Sequence, residues 1–173
     1  MQRLLILILL SFVLAFAGIA ACGDDDDGDL EEYFAEVEVI AITTDHALDT
    51  LGDELSAAEP ETDEEYIQVF QESYQGAGEV LETAYLDLAE MTPPAEAESA
   101  HDSFLDSLEG VLIALSGILE NSQEVTTADE LDVLYAQFEP DLVQVDENLD
   151  TACATLQGVA ESNGISADLR CGD

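Results

Sequence analysis

Apolar residues recur along this chain at alternating intervals of three and four, and they form four separate stripes. The first runs Leu30, Phe34, Val37, Ala41, Thr44, Leu48, Leu51, Leu55. The second runs Ile67, Phe70, Tyr74, Ala77, Leu81, Ala84, Leu88, Met91, and the third Ala97, His101, Phe104, Leu108, Val111, Leu115, Ile118. The fourth is Leu131, Tyr135, Phe138, Leu142, Val145, Leu149, Ala152, Leu156, Val159. Such spacing places one apolar face on each of four helices that pack at shallow angles. Turn chemistry falls between the stripes. Glu59-Pro60-Glu61-Thr62-Asp63 is a turn that holds an N-cap candidate. Thr92-Pro93-Pro94 stops the second helix and is expected to start the third, since Pro is tolerated in a first turn. Asn121 to Thr127 separates the third from the fourth, with Thr126 or Thr127 as the cap. Asn163-Gly164 offers a C-terminal cap.

Short connections make consecutive helices antiparallel neighbours. The expected fold is therefore all-α, an up-down-up-down four-helix bundle. Pro140 lies inside the fourth stripe and should kink or break that helix. Gly76 and Gly78 weaken the second helix but permit close approach of a neighbour.

Ahead of the first stripe the pattern changes. Residues 1–21 hold Arg3, no acid, and an apolar run from Leu4 to Ile19 interrupted only by Ser11 and Gly18. A charged start, an apolar middle and a small-residue end are the parts of a secretory signal. The run closes on Ile19-Ala20-Ala21-Cys22, which resembles the lipobox of bacterial lipoproteins: an aliphatic residue, two small residues, then Cys. That resemblance implies cleavage before Cys22, a diacylglycerol on its sulfur and acylation of the new terminus. It covers the leader alone, and the helical part carries no motif that assigns it to a family. At about 0.8 kcal/mol per buried CH₂, two or more acyl chains anchor a protein stably. The apolar run is shorter than the ~20 residues a spanning helix needs.

Residues 22–29 continue as the modified Cys followed by Gly-Asp-Asp-Asp-Asp-Gly-Asp, expected to form a solvated spacer because like charges extend a chain. A calcium loop does not fit. With Gly28 at the sixth position of an EF-hand, Gly23 stands at the first ligand position and Phe34 where the bidentate Glu belongs. The folded domain is then 30–173.

Composition narrows the range of partners. The 173 residues include 41 Asp or Glu and only two cations, Arg3 and Arg170, for a formal charge of −39. A hydrophobic fraction of 47% is too high for an acidic disordered chain, so a packed core is expected. Nucleic acid is excluded as a partner, because phosphate binding needs Lys and Arg to release counterions. An anionic membrane surface is excluded as a polar docking site for the same reason. Lipid on Cys22 is the membrane attachment that remains. Cations should gather diffusely about so acidic a surface. Removing residues 1–21 takes away one cation and no acid, which sharpens the imbalance.

With Cys22 assigned to lipid, Cys153 and Cys171 remain as an even pair in an exported domain, where oxidation is favoured. The fourth helix continues about 15 Å beyond Cys153 at 1.5 Å per residue. The segment from Gly164 to Cys171 can reach ~26 Å, enough to fold back. A Cys153–Cys171 disulfide should therefore pin the C-terminal tail to the fourth helix, contributing about 3 kcal/mol by loop closure.

His101 lies on the third stripe, three residues after Glu98. Glu-x-x-His is the spacing that sets two ligands on one helix face in di-iron bundles, but those need the motif twice. His46 is preceded at that spacing by Thr43. The expectation is a partly buried histidine at a helix start, hydrogen-bonded to a neighbour, and no metal site. His101-Asp102-Ser103 is no triad, because adjacent helical side chains point about 100° apart. Gly76-Ala77-Gly78 lacks the third glycine of a dinucleotide loop, and Walker, HExxH, GxSxG and CxxCH motifs are missing.

No cofactor and no catalytic residue is expected. The reading is a lipid-anchored, non-catalytic helical binding or surface-structural module on the extracytoplasmic face of a bacterial cell membrane, with an envelope protein as potential partner. The alternative is a protein that buffers divalent cations. A more distant one is a metal-dependent enzyme or electron carrier built in the bundle core.

Overall fold

The computed structural model describes residues 25–171. The expected leader, Cys22 and the first part of the acidic run lie outside the described residues. Within them the chain forms four helices and no strand: α1 Asp25–Ala57, α2 Asp63–Glu90, α3 Glu98–Ser122 and α4 Ala128–Ser162. The fold is an all-α four-helix bundle, each helix packed against its neighbour in sequence.

Local chemistry explains most of the helix ends. Thr62 caps α2 in a reciprocal box: its hydroxyl accepts from Glu65 N–H at 3.2 Å, and Glu65 Oε2 accepts from Thr62 N–H at 3.2 Å. Of the two threonines ahead of α4, Thr127 is the cap, accepting from Glu130 N–H, while Thr126 donates to the Glu130 carboxylate through both its backbone and its hydroxyl at 2.9 Å. Alpha4 ends in a Schellman turn. Gly164 has φ +74, its N–H donates to Glu161 O, and Ile165 N–H donates to Ala160 O at 2.9 Å. Glycine takes that left-handed conformation without steric cost.

Four details differ from the sequence expectation. Alpha1 starts at Asp25, so the acidic run from Asp25 to Asp29 is helical and not extended. Pro93 and Pro94 stand ahead of α3, not in its first turn. Pro94 O accepts from Ala97 N–H at 2.9 Å and Glu98 N–H at 3.0 Å, so a tight turn leads into a helix capped by the backbone at buried Ala97. Of the kink or break expected at Pro140, the break does not occur: α4 runs through it as one helix. Pro140 and Ala136, whose carbonyl loses its usual partner, are both exposed, so water can satisfy that oxygen. Only one of the α2 glycines admits a close neighbour. A Cβ on Gly76 would stand 3.0 Å from Leu51 Cδ1, whereas one on Gly78 would meet open space.

The stripes meet in a core concentrated at one end of the bundle. Leu30, Tyr33, Phe34 and Val37 of α1 pack there with Leu81 and Leu88 of α2, Ala97, Ala100 and Leu108 of α3, and Cys153, Leu156 and Ala160 of α4. Toward the other end, Ile67, Ile118 and Leu131 are buried, but α1 is peripheral and Leu55 is exposed. The helices do not close a square. Alpha2 and α4 approach across the bundle, whereas the α1 and α4 backbones scarcely meet. The C-terminal tail fills part of the space between them.

Candidate functional site

The tail turns back after Gly164 and is held on both sides. Toward α4, the Gln157 side chain donates from Nε2 to Ala167 O at 2.7 Å and accepts at Oε1 from Leu169 N–H at 3.2 Å. A primary amide carries both a donor and an acceptor, so one side chain clamps two backbone groups. Cys153 and Cys171 form the disulfide, their Cα atoms 5.5 Å apart. Toward α1, Glu38 Oε1 accepts from Asp168 N–H at 3.0 Å, and the Arg170 guanidinium reaches Asp45 at 4.0 Å and Asp168 at 3.3 Å. Arg170 itself has φ +58. Leu169, between these ties, is buried.

Beside the tail, where α1 and α4 stand apart, opens a crevice of about 270 Å³. Its walls come from every helix: Val37, Ile40 and Leu48 of α1, Leu81 and Leu88 of α2, Phe104 and Leu108 of α3, Leu149 of α4. Leu169 and the disulfide close one side. The mouth is of another character. Asp45 of α1 and Asp146 and Asp150 of α4 border it, with Arg170 as the single cation among the described residues. Apolar walls with a few polar groups at the opening are the usual make-up of a small-molecule site, here at the small end of the size range.

His101 is 2% exposed and lies next to this region, not in it. Its Nδ1 is 2.8 Å from Tyr33 Oη, and the two rings meet edge to face with centroids 5.9 Å apart. Burial disfavours the imidazolium and holds the His101 pKa below its ordinary value of 6.5, with the neighbouring Asp102 carboxylate opposing. We therefore assign the neutral ring, with the phenol, the more acidic partner, donating to Nδ1. Burial likewise pushes the Tyr33 hydroxyl well above its usual range. The histidine is hydrogen-bonded at a helix start as expected, but it is fully and not partly buried, because Tyr33 of α1 packs over it. Glu98 is exposed and His46 is exposed on α1, so neither is brought to the His101 ring. Among the described residues no three His, Cys, Asp or Glu side chains are grouped to hold a metal ion.

Elsewhere Phe70 and Tyr74 stack with centroids 4.3 Å apart, and the Tyr74 hydroxyl is pushed up to about 12, by burial first and by Tyr135 second. The Glu130 carboxyl is held below its ordinary value by the Thr126 hydrogen bonds, a capping effect with no catalytic content.

Sequence reasoning reached Cys153, Cys171 and His101 but missed Tyr33, Gln157, Leu169 and the crevice. Tyr33 was within reach, because Leu30, Tyr33, Phe34 and Val37 follow the i, i+3, i+4, i+7 pattern of a wider apolar face. Gln157 had no signal, since one amide among many polar helix positions looks like solvated surface. No protein-family model matches the chain, and neither a curated protein nor a solved structure matches it.

Proposed function

We propose that this protein is a non-catalytic binding module, tethered by lipid on Cys22 to the extracytoplasmic face of a bacterial cell membrane, and that it takes an apolar ligand into the crevice between α1 and α4. The observation that carries the binding reading is a cavity of about 270 Å³ walled by all four helices and stoppered on one side by the disulfide-held tail. A bundle built only for shape gains nothing from leaving such a space, since filling it would add packing energy. The lipid tether rests on the leader and its Ile19-Ala20-Ala21-Cys22 ending. Among the described residues no helix is long and apolar enough to cross a membrane.

Two measurements test the parts separately. Titration of the folded protein with a neutral solvatochromic dye should give saturable fluorescence that Ala41→Trp, placing an indole at the crevice mouth, removes. Dye binding that persists in Ala41→Trp would move the site elsewhere. In cloud-point detergent separation of whole cells, the wild type should enter the detergent phase and Cys22→Ala should not. Equal partition of the two would overturn the lipid tether.

A further inference from the structure

We propose that the crevice selects amphipathic organic cations, an aliphatic or aromatic body lying against its apolar walls and an ammonium group held among Asp45, Asp146 and Asp150. This rests on the crevice being the binding site and adds the class of ligand.

The argument starts from the border of the opening. Three carboxylates line it, two from α4 and one from α1, against a single guanidinium. That guanidinium is already engaged: Arg170 lies 3.3 Å from Asp168 and 4.0 Å from Asp45, and its side chain is 39% exposed. An anionic head group would therefore meet uncompensated carboxylates and compete with Asp168 for the one cation. A cationic head group meets the opposite situation. Among the described residues Asp146 and Asp150 have no ion-pair partner, and they are four apart on α4, so they stand on one face of it.

Screening makes this a local decision. At physiological ionic strength the Debye length is about 8 Å, so the formal charge of −39 acts weakly at range and the groups at the mouth decide. The remote charge still matters for encounter, because it raises the local concentration of cations and depletes anions. Apart from Asp45, Asp146, Asp150 and Arg170, the crevice is lined by apolar side chains, the disulfide and Thr44. Ile40, Leu48, Phe104 and Leu149 give a surface on which an alkyl or aryl group gains by leaving water. The two halves of the site thus demand two halves of a ligand. Asp45 adds a competitive element: a bound ammonium takes its carboxylate from Arg170, which leaves Arg170 to Asp168 and loosens the tie of the tail to α1.

The test compares three amphiphiles sharing one alkyl chain, each below its micelle concentration: an alkyltrimethylammonium, a neutral alkyl glycoside and an alkyl sulfate. Calorimetric titration is run on the wild type, on the fillers Ala41→Trp and Leu149→Trp, and on the triple variant Asp45→Asn, Asp146→Asn, Asp150→Asn, with helicity checked by circular dichroism. The wild type should bind one ammonium at least about tenfold more tightly than the glycoside, and the sulfate most weakly. The triple variant should lose that preference while keeping glycoside affinity, and either folded filler should abolish binding of all three. Glycoside bound as tightly as the ammonium, and lost in the fillers, overturns the cation preference but leaves the crevice as the site. Ammonium binding that is multiple, salt-sensitive and unchanged in the fillers marks diffuse adsorption to the acidic surface, and overturns both this inference and the crevice as the site. No filler-sensitive binding of any of the three likewise removes the crevice.

Discussion

Tyr33 Oη and His101 Nδ1 meet at 2.8 Å and so join α1 to α3 across the buried end of the bundle. Both groups are polar and both are buried, 4% and 2% exposed, so each depends on the other for its hydrogen bond. Replacing one partner strands the other in apolar surroundings. Tyr33→Phe and His101→Leu should each lower stability by about 1–3 kcal/mol, the cost of an unsatisfied buried group. The double variant should lose clearly less than the sum. Urea unfolding of the four proteins measures the coupling, and strict additivity would show that the bond contributes nothing.

The same pair carries a pH dependence. The folded protein holds His101 neutral below the 6.5 at which the unfolded chain protonates it. The unfolded state therefore binds the extra proton first. Stability from this source is present above about pH 6.5 and is lost as pH falls from there through the depressed folded value. Urea midpoints between pH 7.5 and 5 should fall more steeply in wild type than in the Tyr33→Phe, His101→Leu double variant, which has no imidazole at this site. Parallel slopes would show that the ring titrates as freely folded as unfolded.

Tail and crevice should fail together. Reducing the Cys153–Cys171 bridge, or replacing both by Ser, removes a constraint that closes a loop of sequence separation 18 and should cost about 3 kcal/mol. Gln157→Leu leaves the bridge but unties Ala167 and Leu169 from α4. Dye binding in the crevice should weaken in both, because Leu169 forms part of its wall. Unchanged binding after reduction would make the tail a bystander.

The α2 glycines should respond differently to one methyl group. Gly78→Ala meets nothing and should stabilise by roughly 0.5–1 kcal/mol, the helix-propensity difference. Gly76→Ala brings its Cβ to 3.0 Å from Leu51 Cδ1, so Leu51 must shift and the gain should shrink or reverse. Thermal melts of the two variants decide it, and equal gains would show that Leu51 yields freely.

Salt should stabilise the fold. The ion pairs of the described residues are those of Arg170 with Asp45 and Asp168, and both are exposed. Nearly every other carboxylate on the helices has like-charged neighbours, repelling by tenths of a kcal/mol per pair. Melting temperature at neutral pH should rise between about 10 mM and about 1 M NaCl as the Debye length contracts from roughly 30 to 3 Å. A flat series would mean the charges are solvated well enough not to oppose folding.

The helices, their order and the pairing of Cys153 with Cys171 were legible in the residues themselves. Each rests on local chemistry or on elimination: three-four periodicity, a cap candidate in the turn at 59–63 and another at Thr126 or Thr127, the positive φ available to Gly164, and two cysteines that remain as an even pair once Cys22 is read as a lipid site. Side-chain patterning also brought His101 to a buried position. What the residues could not reveal depends on distances between segments far apart in the chain. The tail could be seen to reach α4, but not that Glu38 and Asp45 would hold its other side, since that requires the spacing of α1 from α4. The partner of His101 stands on another helix, 68 positions away. Nor does periodicity say whether four apolar faces close completely. Each stripe is satisfied by burial against something, and it is the angle and separation of α1 and α4 that leave a crevice there and set three carboxylates at its mouth.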